Sequence, residues 1–377
     1  MDWRILLSHW QIIVFGAFCL VTVVQLFYYL FFFLRLALFK SHDKFQSQTH
    51  AVSVIVCARD EAHNLENNLP AILTQNYTTT HEVVLINDNS FDDTKFFAEE
   101  LAKIFKNLKA INLTQEAKHI PGKKYPLSVG IKSSKYEVML LTDADCTPAS
   151  EFWIQKMQDA YVDGKEIILG YGAYKKEKGF LNKLVRFETF HTALQYLSYS
   201  LAGLPYMGVG RNLSYRKALF YRVKGFSSIN HIPGGDDDMF INKVATKENT
   251  AIVIDEDAFT ISEAPGTFYK WWRQKTRHYS TARFYRPLHK FLLGTYAFTH
   301  FFFFPLFIIS AIFYDWRFAL GLFVLRLLVQ APILYKTMKR LNEKDLFAIF
   351  WLLDLWQMIY YIIFSFSLVK KPSSNWK

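Results

Sequence analysis

The sequence predicts an α/β domain with a mainly parallel sheet, joined to one N-terminal and about three C-terminal membrane-spanning helices. Three observations lead there. Short β-rich runs alternate with apolar residues at helical spacing through the middle of the chain. Both ends carry long apolar runs nearly free of charge. Each of the most regular β runs ends in acidic residues.

Taken in order, residues 5–34 hold no formal charge. A helix rises about 1.5 Å per residue and crosses a bilayer in about 20 apolar residues, so this run spans with tilt to spare. A cleaved signal peptide would have an apolar core of roughly 7–15 residues followed by small ones. Here the run ends Phe31, Phe32, Phe33, Leu34, Arg35, which favours a retained anchor over 1–36.

A polar stretch follows, giving a domain over 37–290. VSVIVC (52–57), EVVLIN (82–87) and EVMLLT (137–142) read as buried strands, with EIILG (166–170) and AIVID (251–255) as further strands. Between the first two, Leu65, Leu69, Ile72 and Leu73 recur at helical spacing, although Pro70 marks a kink or a break. Phe97, Leu101 and Ile104 repeat the pattern after Asp92 and Asp93, acids that suit a helix N-terminus. Strand alternating with helix implies a parallel sheet covered on both faces, with ligands outside the carboxyl ends of its strands. Residues 187–207, rich in Tyr and Leu, read either as an amphipathic helix on a membrane or as buried core. Trp271 and Trp272 read as interfacial anchors.

Three apolar segments, 291–314, 318–335 and 346–369, fall in a C-terminal region of 291–377. The second carries Arg326 and the third Asp354. An ion within lipid is unfavourable unless paired, so these two are expected to meet across neighbouring helices.

Composition agrees. Of 377 residues 51% are apolar, and 36 Phe with 21 Tyr exceed what a soluble core of this size buries. That excludes a disordered chain and argues against an ordinary soluble enzyme. Cys19, Cys57 and Cys146 are scattered, so neither a disulfide framework nor a structural zinc site is expected. The net charge is +11, from 44 Lys and Arg against 33 Asp and Glu. Basic residues cluster at both edges of the polar domain: Arg35, Lys40 and Lys44, then Arg273, Lys275, Arg277, Arg283, Arg286 and Lys290. By the positive-inside rule that domain is expected in the cytoplasm, with anionic lipid headgroups as the partner of the charge; the expected location is a bacterial inner (plasma) membrane. The loop 336–344 agrees with this orientation, whereas the basic tail 370–377 does not. No recognition motif supports nucleic acid as a partner.

The acids are the chemical signal. Arg59-Asp60-Glu61 follows the first strand, Asp88 ends the second, and Asp143-Ala144-Asp145 follows the third. Parallel strands lie about 4.8 Å apart, so acids at matching ends converge on one crevice. Crowded carboxylates repel and are tolerated best with a cation or a donor-rich ligand. Oxygen ligands suit Mg²⁺ or Mn²⁺ bridging carboxylates and substrate phosphates. The triple Asp236-Asp237-Asp238 lies between Pro233-Gly234-Gly235 and the apolar Met239-Phe240-Ile241, as in a loop entering a helix. Gln274 and Arg277 share one helical face.

These residues resemble those of the family 2 glycosyltransferases, inverting enzymes with a Rossmann-like GT-A nucleotide-sugar domain. The resemblance runs from Val52 to His278. VIVCARDEAHNL (54–65) is similar to the family's opening strand and acidic turn, and INDNSFDDT (86–94) to its second acidic turn, with Asn87 replacing the first Asp. GKKYPLSVG (122–130) resembles the segment before the metal strand, and TDADC (142–146) the metal motif. GRNLSYR (210–216) resembles the acceptor-side segment ending in Arg. GGDDDMF (234–240) resembles the acidic motif holding the base, and QKTRH (274–278) resembles QxxRW with His278 in place of Trp.

The resemblance implies roles. Arg59, Glu61, Asp88, Lys123 and Asp143 would bind the nucleotide sugar, a UDP-sugar being the expected donor. Asp143 and Asp145 would hold Mg²⁺ or Mn²⁺. Asp237, with Asp236 second, would be the base. Gln274, Arg277 and His278 would face the diphosphate or acceptor, where an Arg fork suits phosphate better than Lys does. The implied chemistry is a single displacement with inversion at the anomeric carbon. A lipid or short glycan is the expected acceptor. A processive polysaccharide synthase and a non-catalytic membrane scaffold or transporter are the alternatives. A nucleotide-dependent oxidoreductase would want a glycine-rich turn after the first strand, where residues 58–63 hold no glycine.

Overall fold

The computed structural model describes residues 9–40, 50–115, 120–162 and 164–366. These divide into two compact units, one of residues up to Phe39 together with Arg286–Phe366, the other Lys40–Tyr285.

The Lys40–Tyr285 unit is built on a seven-stranded sheet. Strands β1 (Val52–Ala58), β2 (His81–Asp88), β3 (Leu108–Leu113) and β4 (Val138–Asp143) are mutually parallel in the order β3-β2-β1-β4. The apolar run of β1 is buried along its whole length, as an interior strand with helices on both faces requires. Register sets the site. Ala58 lies opposite Asn87 and Cys57 opposite Asp143, so the turns after β1, β2 and β4 open on one edge.

Helix α3 (Ala62–Leu73) buries Leu65, Leu69, Ile72 and Leu73 against the sheet and runs through Pro70 unbroken. Helices α4 (Thr94–Ile104) and α5 (Lys124–Ser133) follow β2 and β3. Gly130 lets α5 approach closely, since a Cβ there would stand 2.5 Å from Ile86 and 2.8 Å from Ile55. Helix α6 (Trp153–Asp159) packs on the face occupied by α3, in a core that includes Val54, Val83, Leu140, Trp153 and Met157.

Beyond β4 the sheet changes direction. Strand β8 (Leu213–Arg216) is antiparallel to both β4 and β6 (Ile167–Leu169), while β9 (Thr250–Ile252) is parallel to β6. Leu213 pairs with Leu141 and Arg216 with Val138, so β8 begins at the edge where β4 ends. A smaller sheet joins β5 (Cys146–Pro148), β10 (Thr260–Ser262) and β7 (Gly172–Tyr174). Helix α7 (Phe180–Leu201) is buried over most of its length, so the core reading holds and the membrane-surface reading does not. Helices α8 (Lys217–Arg222), α9 (Asp238–Val244) and α10 (Phe268–Ala282) complete the unit. Trp271 is fully buried on α10, a correction to its reading as an interfacial anchor. An ion pair between Lys275 of α10 and Glu188 of α7, both buried, fixes α10 in rotation.

The other unit holds α1 (Trp10–Phe27) and α2 (Leu34–Leu38), continuous through a π-helical turn at Tyr28–Phe33, and α11 (Pro287–Ser310), α12 (Trp316–Arg340) and α13 (Phe350–Ser365). Three helical runs among the described residues are long and apolar enough to cross a membrane: Trp10–Leu38, Pro287–Arg340 and Lys344–Ser365. The second has 54 residues and reverses at Asp315, which leaves helical geometry at φ −154°, ψ 119°. Phe307 and Phe323 stand 4.8 Å apart between ring centroids, where 16 residues of straight helix would separate them by about 24 Å. This run therefore supplies two segments, as the sequence suggests. Arg326 meets Asp354 at 2.8 Å, and Gln330 bonds both Asp354 (2.6 Å) and Tyr29 (2.8 Å). The expected ends at residues 5–8 and 367–369, Lys44 and the basic tail 370–377 lie outside the described residues.

Candidate active site

The site grows from the turns at the carboxyl edge of the sheet. Asp60 and Asn89 adopt left-handed backbone (φ 54° and 53°), bending the chain sharply after β1 and β2. The two turns are laced together. The Asp60 N–H donates to Ser90 Oγ (2.9 Å), Phe91 N–H to Asp60 Oδ1 (2.7 Å), and Glu61 N–H to Thr94 Oγ1 (2.8 Å). Asp60, Ser90 and Thr94 thus build the frame, while Glu61 stands at the start of α3 and Asp88 at the end of β2. Arg59 faces Asp88 at 3.8 Å.

At the end of β4, Lys123 donates a hydrogen bond to Asp143 Oδ1. Burial alone would raise the Asp143 carboxyl, but Lys123 against it, with Arg211 and Arg277 nearby, holds it below the usual carboxylate range. Asp145 behaves oppositely. It opens on solvent, yet the cleft walls limit its hydration, and the charge of Asp143, joined by Glu61, pushes its carboxyl up. Ligand atoms of Asp143, Asp145 and Cys146 lie within 4.8 Å of one another. Two carboxylate oxygens at this spacing, one of them driven up by the other's charge, fit a divalent cation.

A second set of residues closes the crevice. Arg211 immediately precedes Asn212 and β8, and its charge acts on Asp143 and Asp145. Its guanidinium lies 4.4 Å over the Tyr174 ring and donates to Ser262 Oγ at 2.8 Å. Tyr174 OH meets Gln274 of α10 at 3.2–3.3 Å, so a chain of contacts runs to α10 from Arg211, whose charge acts on the aspartates of β4. Arg277 lies one turn beyond Gln274. The His278 imidazole is held well below its usual value by desolvation and by Lys275, Arg277 and Arg211.

The acidic loop occupies the same region. Gly234 and Gly235 take left-handed backbone (φ 75° and 82°) ahead of α9. Asp237 Oδ2 accepts from the Gly210 N–H (2.8 Å) and Oδ1 from the Asp238 N–H (2.7 Å). Burial, with the charges of Asp236 and Asp238, pushes the Asp237 carboxyl up to about 8. Asp236 is half-buried, and its charge acts on Lys123. Lys124, fully buried beside Lys123, donates to the carbonyls of Ile232 and Gly234 (2.6 Å to the latter) and so pins the loop.

The structure thus gathers Arg59 with Asp88, Lys123 with Asp143, and Arg277 with Asp143, and sets Glu61 near Asp145. It joins His278 to the strand ends only through the positive field it shares with Arg211 and Arg277. Arg211, Tyr174 and Lys124 escaped the sequence reading. The segment GRNLSYR ends in Arg216, which pairs opposite Val138 at the far edge and lies over Tyr161, 5.1 Å from its ring centroid. Arg211, at the near end of that segment, faces the aspartates instead.

A largely parallel sheet with aspartates at its carboxyl edge and a glycine-led acidic loop beside them defines a GT-A-type transferase domain. Residues 53–223 match the model described as Glycosyl transferase family 2, and residues 162–366 the model of Glycosyl transferase family group 2. The chain belongs to the family 2 glycosyltransferases and is a glycosyltransferase. It is similar to the probable glycosyltransferase YdaM of Bacillus subtilis, 23% identical over 84% of this chain and 82% of the relative. An uncharacterized glycosyltransferase of Haemophilus influenzae is 26% identical over 52% of this chain and 60% of its own length. Among solved structures, the mannosyltransferase PcManGT from Pyrobaculum calidifontis, in complex with GDP-Man and Mn²⁺, shares the fold. Its TM-score is 0.56 at 18% identity, covering 92% of this chain and 99% of that one.

Proposed function

We propose that this protein is a membrane-bound, inverting, metal-dependent hexosyltransferase. It moves a sugar from a nucleotide-sugar donor to a lipid or glycan acceptor. In this reading, a cytoplasmic domain over 37–290 lies between membrane regions 1–36 and 291–377, in a bacterial inner membrane. The observation that carries the reading is the opposed state of two carboxylates. Asp143 accepts from Lys123 and lies beside Asp145 at the end of β4, while Asp237, in the acidic loop, accepts from backbone N–H groups between two further acids that with burial push its carboxyl up.

Arg59, Glu61 and Asp88 receive the base and ribose. Lys123 and Asp143 flank the ribose and diphosphate, and Arg277, with Gln274, lies on the diphosphate or acceptor side. Asp145 with Asp143 would hold Mn²⁺ or Mg²⁺, which supplies charge neutralisation to the departing diphosphate. Mn²⁺ with GDP-mannose in the Pyrobaculum mannosyltransferase supports a metal and a hexosyl donor here. A UDP-sugar remains the first donor to test.

Asp237 Oδ takes the proton of the acceptor hydroxyl as that oxygen attacks the anomeric carbon. The bond to the diphosphate oxygen breaks with its electron pair leaving on the nucleotide, and configuration inverts. Arg277 and Arg211 offset the charge that develops. Asp236 is the second candidate for the base.

The test incubates membranes containing the protein with a panel of UDP-, GDP- and other nucleotide sugars and Mn²⁺ or Mg²⁺. Products are then identified by mass. Transfer from one donor, abolished by Asp145→Ala, is expected. No transfer or donor hydrolysis with any donor would overturn the reading. Product length decides between single addition and a polymer.

A further inference from the structure

The third acid of the loop has no part in the chemistry above, yet it is the most heavily bonded of the three. Asp238 is the first residue of α9, directly after its N-cap Asp237, and its Oδ1 accepts from the Met239 N–H at 2.7 Å. Its other oxygen turns away. Asp238 Oδ2 accepts from the Thr281 hydroxyl in the last turn of α10 and from the Tyr285 hydroxyl (2.6 Å) just beyond. All three residues are buried, and the Tyr285 ring packs at 5.9 Å from that of Tyr206. Hydrogen bonds to a buried carboxylate are charge-assisted and directional, so they fix position more firmly than apolar packing does.

The same loop is gripped from its other end. Lys124 holds the carbonyls of Ile232 and Gly234, while its neighbour Lys123 holds Asp143. The five residues from Gly234 to Asp238 are therefore tied on one side to the lysine pair and on the other to α10. Asp237 lies between the two ties, and α10 carries Gln274, Arg277 and His278.

We propose that Asp238 is a positioning residue: through Thr281 and Tyr285 it locks the loop bearing Asp237 to the helix bearing Gln274, Arg277 and His278. The latch sets the distance between the proton acceptor and the groups facing the diphosphate. This inference rests on the transferase reading above. Thr281 and Tyr285 touch no reacting atom; besides Asp238, the Thr281 hydroxyl lies 2.7 Å from the His278 carbonyl within α10, and the Tyr285 ring packs on Tyr206.

The experiment uses the full chain in lipid nanodiscs with the variants Tyr285→Phe, Thr281→Val and Thr281→Ser. Losing one hydroxyl is expected to lower kcat for transfer by roughly 10- to 100-fold, as a misplacement of about 1 Å does. Donor KM should stay within about twofold, because the strand-end groups proposed to hold the nucleotide, Arg59, Glu61, Asp88 and Lys123, lie outside the latch. Thr281→Ser, which keeps the hydroxyl, should restore kcat. Unchanged kcat in both Tyr285→Phe and Thr281→Val would overturn the latch. So would kcat, donor KM and melting temperature falling together with no rescue by serine, which is the signature of a general packing role. If the wild-type chain transfers no sugar, the transferase reading fails by itself, and amide hydrogen exchange in Tyr285→Phe still decides. Faster exchange confined to residues 232–240 and the end of α10 supports the latch, and unaltered exchange there overturns it.

Discussion

The two acidic halves of the crevice are built from the same side chain and treated in opposite ways. At the ends of β2 and β4 two aspartates have a cation to hand: Arg59 lies 3.8 Å from Asp88, and Lys123 against Asp143, while Asp145 just beyond is pushed up by burial and by Asp143. In the glycine-led loop, Asp237 is held by the backbone N–H groups of Gly210 and Asp238, with acids on both sides in sequence. Lys123 favours the ionised form of Asp143, whereas burial and the neighbouring acids oppose it at Asp237 in spite of those N–H groups. Environments that push like groups apart assign their chemistry: the strand-end carboxylates suit a ligand's donors, and the loop carboxylate suits a proton.

The sharpest way to break this contrast is Asp237→Asn. It keeps shape and removes the proton acceptor, so kcat should fall by about 10²–10⁴ while donor KM barely moves. Stability gives an independent sign. A carboxyl whose native pKa of about 8 exceeds its unfolded value of about 3.9 binds its proton more tightly when folded. Stability from that group is present below about 3.9 and is lost as pH rises to 8. The stability of Asp237→Asn relative to wild type should therefore rise as pH climbs from about 4 to about 8, although its amide leaves one of the Gly210 and Asp238 N–H groups without its acceptor. In the wild type, kcat should rise with pH and level off above about 8. A flat kcat profile, or a stability difference between variant and wild type that does not change with pH, would dissolve the contrast.

Asp145→Asn comes next. Removing a carboxylate from the pair at the end of β4 should lower kcat by roughly 10²-fold, about 2.7 kcal/mol, and raise the Mn²⁺ concentration for half-maximal rate. A variant with wild-type rate and metal response would move the cation away from Asp145.

How much of this was legible follows from strand direction. Arg59, Glu61, Asp88, Asp143 and Asp145 follow strands that run the same way, and apolar runs show plainly where those strands stop. Any acid just past such a run falls on one edge. Arg211 was hidden because β8 runs the other way, so the residues that precede it, not those that follow, reach the crevice. A four-residue strand between a long helix and a short one carries no sign of its direction in its own side chains. Tyr174 belongs to a small sheet whose three strands are only three residues each, too short for a periodic pattern. The acidic loop announced itself through its glycines, but the partition of labour within it did not. Whether an aspartate faces a backbone N–H, a tyrosine or open solvent depends on α10, more than 40 residues further on. Residues 187–207 were ambiguous for a related reason: aromatic richness describes a buried helix and a membrane-bound one alike.

Lys123→Met tests the strand-end half at smaller scale. Asp143 loses the cation that depresses its carboxyl, so donor KM should rise by about tenfold, roughly 1.4 kcal/mol. The depressed carboxyl contributes stability that is present above its unfolded value of about 3.9 and is lost as pH falls through its lower native value. The variant should lose that acid-side component. With the Asp143 side chain 36% exposed, the loss should be no more than about 1 kcal/mol, read from denaturant melts at pH 7 and pH 3.

Arg59→Gln should do least. Its nitrogen stands 3.8 Å from Asp88, longer than a hydrogen bond, and its side chain is 27% exposed. A pair of that kind contributes at most about 1 kcal/mol, so melting should shift little and donor KM by less than about fivefold. The size relative to Lys123→Met carries the information. If Arg59→Gln equals or exceeds it, the strand-end carboxylates are governed by the summed positive field of Arg59, Lys123, Arg211 and Arg277. If it falls well below, each aspartate answers to its own contact, and the strand ends differ from the loop one residue at a time.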